Sequence, residues 1–537
     1  MTFTREDRNA ISRRRLVSAM AAGLCSSVAA RRATAAEQSP VVETQSGRLR
    51  GASIDGVSLF RGIPYGGPTE GARRFLPPSK AATWTGIRDA TRTGPRCVQG
   101  SGNIFRSPLI GEYFAGGRAD RIELSAQEDS ENCLNLNVLT PGLQGRRAVM
   151  VYIHGGGLTS GSDALTLFSD RFVREQDIVL VGVNHRLSVF GYTYLGAFSP
   201  KYAVGNVGQL DLIAALEWVR DNISHFGGDP RNVTIFGESG GGAKISALMA
   251  MPAARGLFHK ACVQSGSALQ ASTADPGAES ARRMLSNLGL GEKQADELQR
   301  VPVDKLLASL GGRGPAIVVD GHSLPHQTWE VKAPEESREI PMIIGGDKDE
   351  SSLFSLQDKT LFTLDQAGLR ARLVQAGIPE SKVDGLLALY RRDHPADSPT
   401  DLYFRISTDR GARHNAVRQA ELKAEQGKAN VYMYYCQWDT PLAQGEMRIK
   451  SFHTSDLPLT MRLVLFPESD PLSRQLSGAW ATFARTGNPS QKGLPWPAYT
   501  LTERTTMVFD ARRSKAVSDP DRDERLALAN YPSGNLL

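Results

Sequence analysis

Val233-Thr-Ile-Phe-Gly-Glu-Ser-Gly-Gly-Gly242, running on into Ala243-Lys-Ile-Ser-Ala-Leu-Met-Ala250, is the stretch on which the fold turns. A short β-branched and aromatic run breaks into Gly-x-Ser-x-Gly, centred on Ser239, and a helical pattern follows at once. That context predicts a strand-turn-helix elbow that lifts a serine hydroxyl clear at the top of a parallel sheet. The turn is cramped, so small residues are required at Gly237 and Gly241. A free serine hydroxyl is a weak nucleophile, so the elbow matters only if a base and an anion-stabilising site converge on it.

Outward from the elbow, the pattern supports an α/β fold. Residues 40–62 read as short alternating strands. From about residue 135, strands alternate with helical stretches, as a mainly parallel sheet requires. The expected strands are Asn135–Thr140, Ala148–Ile153, Ile178–Asn184, Val233–Phe236, Lys260–Gln264, Met342–Gly345 and Val431–Cys436. Helices are expected over Leu210–Asn222 and Gly242–Met251. Within 355–428, a helical excursion includes Leu369–Ala376, Lys382–Leu389 and Ala412–Glu425. No internal repeat, low-complexity linker or domain seam interrupts residues 36–537, which read as one domain with insertions at about 98–132 and 355–428.

Ligands collect at the carboxyl ends of the strands of such sheets, and four suggestive groups lie there. Ser239 is the first. His154-Gly155-Gly156-Gly157 follows the strand ending at Ile153; its glycines free backbone N–H groups to face a developing oxyanion, so Gly156, Gly157 and Gly240 are the expected donors. Asp347, Asp349 and Glu350 crowd the loop after Met342–Gly345; chain order Ser, acid, His requires one of them to orient a histidine, and composition does not choose among the three. Of the histidines beyond them, His414 lies in a helical stretch and His394 in a polar turn before Pro395. His453 follows the strand ending at Cys436 and is the base that topology favours.

Charge and cysteines bound the rest. The chain of 537 residues has net charge +6 and pI near 9.0, but residues 1–35 hold seven arginines against two acids, a net of +5. The remainder is close to neutral, which gives no electrostatic case for nucleic acid or an anionic membrane. Arg13-Arg14-Arg15, the mildly apolar run Leu16–Ala30 and Ala33-Thr34-Ala35 read as a cleavable export signal of the twin-arginine type, so a periplasmic or secreted protein is expected. No other segment is long and apolar enough to span a bilayer, and a stable membrane anchor is not expected. In an oxidising compartment Cys97 and Cys133 are the expected disulfide, closing a loop of about 36 residues and contributing roughly 3–4 kcal/mol. Cys262 and Cys436 read as buried small hydrophobes. No His/Cys spacing suits a metal, and no cofactor is expected.

With these residues in place, the chain resembles the type-B carboxylesterases, which include the cholinesterases and the bacterial para-nitrobenzyl esterases. The likeness runs from about residue 40 to 500. It is carried by Phe60-Arg-Gly-Ile-Pro-Tyr65, Ser130-Glu-Asn-Cys-Leu-Asn-Leu-Asn137, His154-Gly-Gly-Gly157, Trp218-Val-Arg-Asp-Asn222, the elbow, Gln264-Ser-Gly-Ser267, Asp347-Lys-Asp-Glu350, the His453 loop and Trp480-Ala-Thr-Phe-Ala-Arg-Thr-Gly-Asn-Pro489. The resemblance implies an α/β-hydrolase fold whose helical insertions act as a lid. It also implies a triad of Ser239, Glu350 and His453, a Cys97–Cys133 disulfide, and Ser265 and Glu238 set beside the triad. Departures are Gly240 where alanine is usual, Asn132 for aspartate and His185 for tyrosine. Leu353, Leu158 and Thr159 replace the aromatic residues of a choline site, so a quaternary ammonium substrate lacks its cation–π partners. The implied activity is hydrolysis of a small uncharged carboxylic ester through an acyl-enzyme. The rivals are action on amides, lactones or thioesters, and a non-catalytic binding role like that of the neuroligins, which retention of all three triad residues disfavours. Oligomeric state is not legible.

Overall fold

The computed structural model describes residues 39–100, 108–118, 126–311 and 314–532; the expected export signal and parts of the 98–132 insertion lie outside them. Eleven strands form one mixed sheet: β1 (Ala52–Ile54), β2 (Val57–Pro64), β3 (Asn135–Thr140), β4 (Arg147–Ile153), β5 (Val179–Val183), β6 (Gly228–Glu238), β7 (Lys260–Gln264), β8 (Met342–Asp347), β9 (Val431–Cys436), β10 (Thr506–Phe509) and β11 (Lys515–Val517). Across the sheet they lie in the order β11-β10-β9-β8-β7-β6-β4-β5-β3-β2-β1. Every pair from β5 and β4 through to β10 is parallel; the antiparallel pairs β1–β2, β2–β3, β3–β5 and β10–β11 are confined to the edges. All seven strands expected from residue 135 onward are present, each within a few residues of its expected bounds apart from the earlier start of β6.

The central strands are apolar throughout because both faces are covered. On one face Val149, Val151 and Ile153 of β4 pack with Leu212, Leu216 and Val219 of α1 (Val207–Asn222). On the other, Met150 and Tyr152 meet a helix not read from the sequence as such, Asp470–Thr486. It buries Leu472, Leu476, Ala479, Trp480 and Phe483, the 3.6-residue stripe of a core-facing helix. Gly487, at φ 78°, ends it in the left-handed turn that glycine adopts without strain.

The 355–428 excursion contains four longer helices: α3 (Gln366–Gln375), α4 (Glu380–Asp393), α5 (Pro399–Arg410) and α6 (Ala412–Glu425). The first three share a separate cluster of Leu369, Leu373, Val383, Leu387, Leu402 and Ile406. The last instead lays Ala416, Ala420 and Leu422 into the main core. The excursion thus contributes one helix to the main core and packs the other three around a cluster of their own.

The expected Cys97–Cys133 disulfide is not formed. All four described cysteines are free and buried, and the Cys133 thiol is hydrogen-bonded to Cys97. The loop between them is closed without a covalent link. Cys97 pairs with Ser130 in a two-residue parallel ladder, Arg96 Nε meets Asp129 Oδ1 at 2.6 Å, and the Cys97 sulfur accepts from the Leu187 N–H at 3.2 Å.

Candidate active site

Ser239 directly follows β6 and precedes α2 (Gly240–Leu248) with φ 56° and ψ −127°, a backbone state that non-glycine residues rarely occupy. Two bonds hold it there: its N–H donates to the Gln264 carbonyl at 2.9 Å, and its carbonyl accepts from Ala243 N–H at 3.1 Å. The crowding expected at the elbow is real, since a Cβ on Gly237 or Gly241 would collide with the Ile153 carbonyl.

The loop after β4 folds back beside the elbow. Gly156 and Gly157 have φ of 83° and 62°, and the Gly156 carbonyl closes a tight turn by accepting from the Ser160 N–H at 3.0 Å. Among the described residues the Gly156 and Gly157 N–H groups meet no protein acceptor, and Gly240 heads its helix, where the N–H has no partner within the helix. Gly240 lies so near the loop that a Cβ there would stand 2.5 Å from the Gly157 Cα and 2.6 Å from its carbonyl carbon. The departure to glycine at 240 thus has a steric cause.

The structure separates the three acids. Glu350 Oε2 lies 2.5 Å from His453 Nδ1, while its Oε1 accepts from the Asp347 N–H at 2.9 Å. Asp349 pairs with Lys348 at 2.9 Å, and Asp347 accepts from the Ser455 hydroxyl at 2.8 Å. Of the three histidines that follow the acids, His453 lies beside Glu238 at the elbow; His394 meets Glu524 at 2.8 Å and His414 lies on α6. His453 Nε2 stands 3.2 Å from Glu238 Oε1 and makes no hydrogen bond to Ser239 Oγ.

Burial disfavours the imidazolium, but Glu238 and Glu350 outweigh it and raise His453 to about 9. Glu238 is itself pushed up by burial, against the pull of the neighbouring His453. Ser265, with φ 48°, donates its N–H to the Gly345 carbonyl at 2.8 Å, and its hydroxyl is unpartnered among the described residues.

Residues not singled out from the sequence complete the surroundings. Asp456, three residues past His453, accepts from Tyr434 OH at 2.6 Å and Gln264 Nε2 at 2.9 Å. Phe354, about half exposed, tilts over the His453 ring at 4.9 Å between centroids. It directly follows the Leu353 that marked the absent choline site, so its position was available as a signal. Beside the elbow opens a cavity of about 430 Å³ lined by Gly157, Leu158, Gly240, Ser265, Ala268 and Ile317 among others. Small side chains dominate its walls, leaving space for a bulky apolar group.

Residues 38–529 match the model of the carboxylesterase family. A para-nitrobenzyl esterase of Bacillus subtilis is 34% identical over 92% of this chain and 99% of its own length. A pyrethroid hydrolase of Rattus norvegicus is 32% identical over 86% of this chain and 84% of its own. Among solved structures, a Geobacillus stearothermophilus carboxylesterase superposes with a TM-score of 0.75 at 34% identity, covering 91% of this chain and 99% of that one. An esterase of Clostridium hathewayi described as hydrolysing aliphatic aromatic polyesters gives 0.76 at 32% identity, over 92% and 98%.

Proposed function

Since the chain belongs to the carboxylesterase family, with its α/β-hydrolase fold and carboxylic ester hydrolase activity, we propose that it acts by two-step acyl transfer through Ser239, His453 and Glu350. Ser239 Oγ attacks the ester carbonyl while His453 Nε2 takes its proton, and Glu350 holds Nδ1–H and steadies the imidazolium. The tetrahedral oxyanion takes the N–H groups of Gly156, Gly157 and Gly240; losing one such donor typically adds about 3–4 kcal/mol to the barrier. The imidazolium then protonates the departing alcohol, and water, deprotonated by His453, releases the acid.

One observation carries this reading: a serine on a strained elbow adjoins a loop whose glycine N–H groups meet no acceptor among the described residues, while a carboxylate-bound histidine lies 3.2 Å from Glu238, the residue before that serine. The small-residue cavity supports uncharged esters with a bulky apolar acyl or alcohol part. The test is hydrolysis of para-nitrophenyl acyl esters of graded length by residues 36–537 and by Ser239→Ala. Loss in the variant, with a trapped acyl adduct on Ser239 in the wild type, is expected. Undiminished turnover in Ser239→Ala would refute the mechanism.

The same machinery extends to amides, lactones or thioesters, and matched ester and amide pairs distinguish these. We further infer that residues 1–35 direct export of a single catalytic domain, 36–537. Unchanged processing after Arg13 and Arg14 become lysine would count against the twin-arginine route. No helix of the described residues is long and apolar enough to cross a membrane.

A further inference from the structure

Lys244 takes no part in the mechanism above, yet it is the most unexpected side chain near the site. It sits on α2, five residues past Ser239, and is fully buried. Its Nζ donates to the backbone carbonyl of His154 at 3.0 Å. The charged or titratable groups that face it are His154 and His185, whose rings stack at 4.5 Å; among the described residues no carboxylate pairs with it. Burial draws both histidines below their ordinary values, His154 to about 3, so both are neutral near pH 7, and it draws the Lys244 amine down to about 7.

An unpaired amine in such a place is expensive, and an apolar side chain of similar shape would suit the packing better. What the amine gains is one bond, to the peptide that opens the His154–Gly157 loop. That loop supplies two of the three N–H groups aimed at the oxyanion and is in van der Waals contact with Gly240 on the same helix. Building on the oxyanion site described above, we propose that Lys244 is a positioning residue for ester hydrolysis, fastening the glycine loop to the nucleophile helix so that the loop N–H groups meet the oxyanion. The bond acts on transition-state geometry while barely touching the ground state, so its removal lowers kcat and spares KM.

The experiment compares wild type, Lys244→Met and Ser239→Ala in the full chain, with the first two rates normalised to the serine titrated by a fluorophosphonate and the third to protein concentration. In Lys244→Met, kcat is expected to fall about 10- to 100-fold with KM within about threefold, as for a small misplacement of catalytic groups. The inhibition constant of a trifluoromethyl ketone, whose hemiketal oxyanion occupies the same loop, is expected to rise by the same factor. The melting temperature should stay level or rise, since a costly buried amine has gone; a purely structural lysine predicts the opposite sign. A wild-type rate per titrated serine, an unchanged ketone constant, or a variant that melts lower or does not fold would each overturn the proposal. Activity surviving in Ser239→Ala refutes the Ser239 mechanism and this proposal with it. Loss there, beside a wild-type rate in Lys244→Met, refutes this proposal alone.

Discussion

Replacing Gly240 by alanine, the residue usual in this family, is expected to damage this enzyme. A Cβ at 240 would sit 2.5 Å from the Gly157 Cα and 2.6 Å from its carbonyl carbon. Carbon atoms rest at about 3.5–4.0 Å, so loop and helix must part by about 1 Å. Both partners are backbone, and neither can swing aside as a side chain would. Misplacement on that scale costs on the order of 100-fold in rate, about 2.7 kcal/mol of barrier. Alanine in the first helical turn favours the helix by up to about 1 kcal/mol, so the variant should fold well, and loss of activity is not loss of protein. The assay is kcat and KM on para-nitrophenyl butyrate, normalised to titratable Ser239, beside a thermal melt. A kcat within threefold of wild type would refute the claim that loop and elbow touch through bare glycine backbone.

Glu350→Gln should lower kcat by about 10⁴-fold with folding intact, because the amide no longer fixes the imidazole tautomer; circular dichroism and a rate assay check both halves. His453 must be neutral to accept the serine proton, so kcat/KM rises with pH through its ionisation. Glu238 raises that ionisation, and Glu238→Gln should move the rising limb to lower pH by about one unit or more. Trp480→Ala empties a fully buried site and ends the Nε1 bond to Gln264 at 3.2 Å; denaturant melts should show a loss of about 3–5 kcal/mol. With Cys97 and Cys133 as thiols, titration of denatured residues 36–537 with a thiol reagent should count four, and reductant should leave the melting temperature unchanged.

The parallel strands were legible because burial on both faces writes them as unbroken apolar runs, and Gly-x-Ser-x-Gly marks the elbow because only small residues survive there. The choice among Asp347, Asp349 and Glu350 was not legible from composition. Three acids within four residues are separated only by distant partners: Ser451 for Asp349, Ser455 for Asp347, His453 for Glu350. Lys244 read as one residue of a helical pattern, since nothing local says that its end of the helix points inward beneath the glycine loop. The Asp470–Thr486 helix carried its stripe in plain view at 472, 476, 479, 480 and 483, but 480–489 stood out first as a motif. The thiol pair illustrates a different limit: spacing indicates which cysteines meet, and redox state is a separate question.

The proposed triad is drawn from loops behind three strands, with His453 and Glu350 themselves 103 residues apart in sequence. Loop closure over such spans contributes nothing until the intervening sheet and helices have organised, so these contacts belong among the last to form. Regain of ester hydrolysis during refolding is therefore a clock for completion of the whole chain. It should lag behind the return of helical signal and Trp480 burial, and no fragment ending before residue 453 can show it.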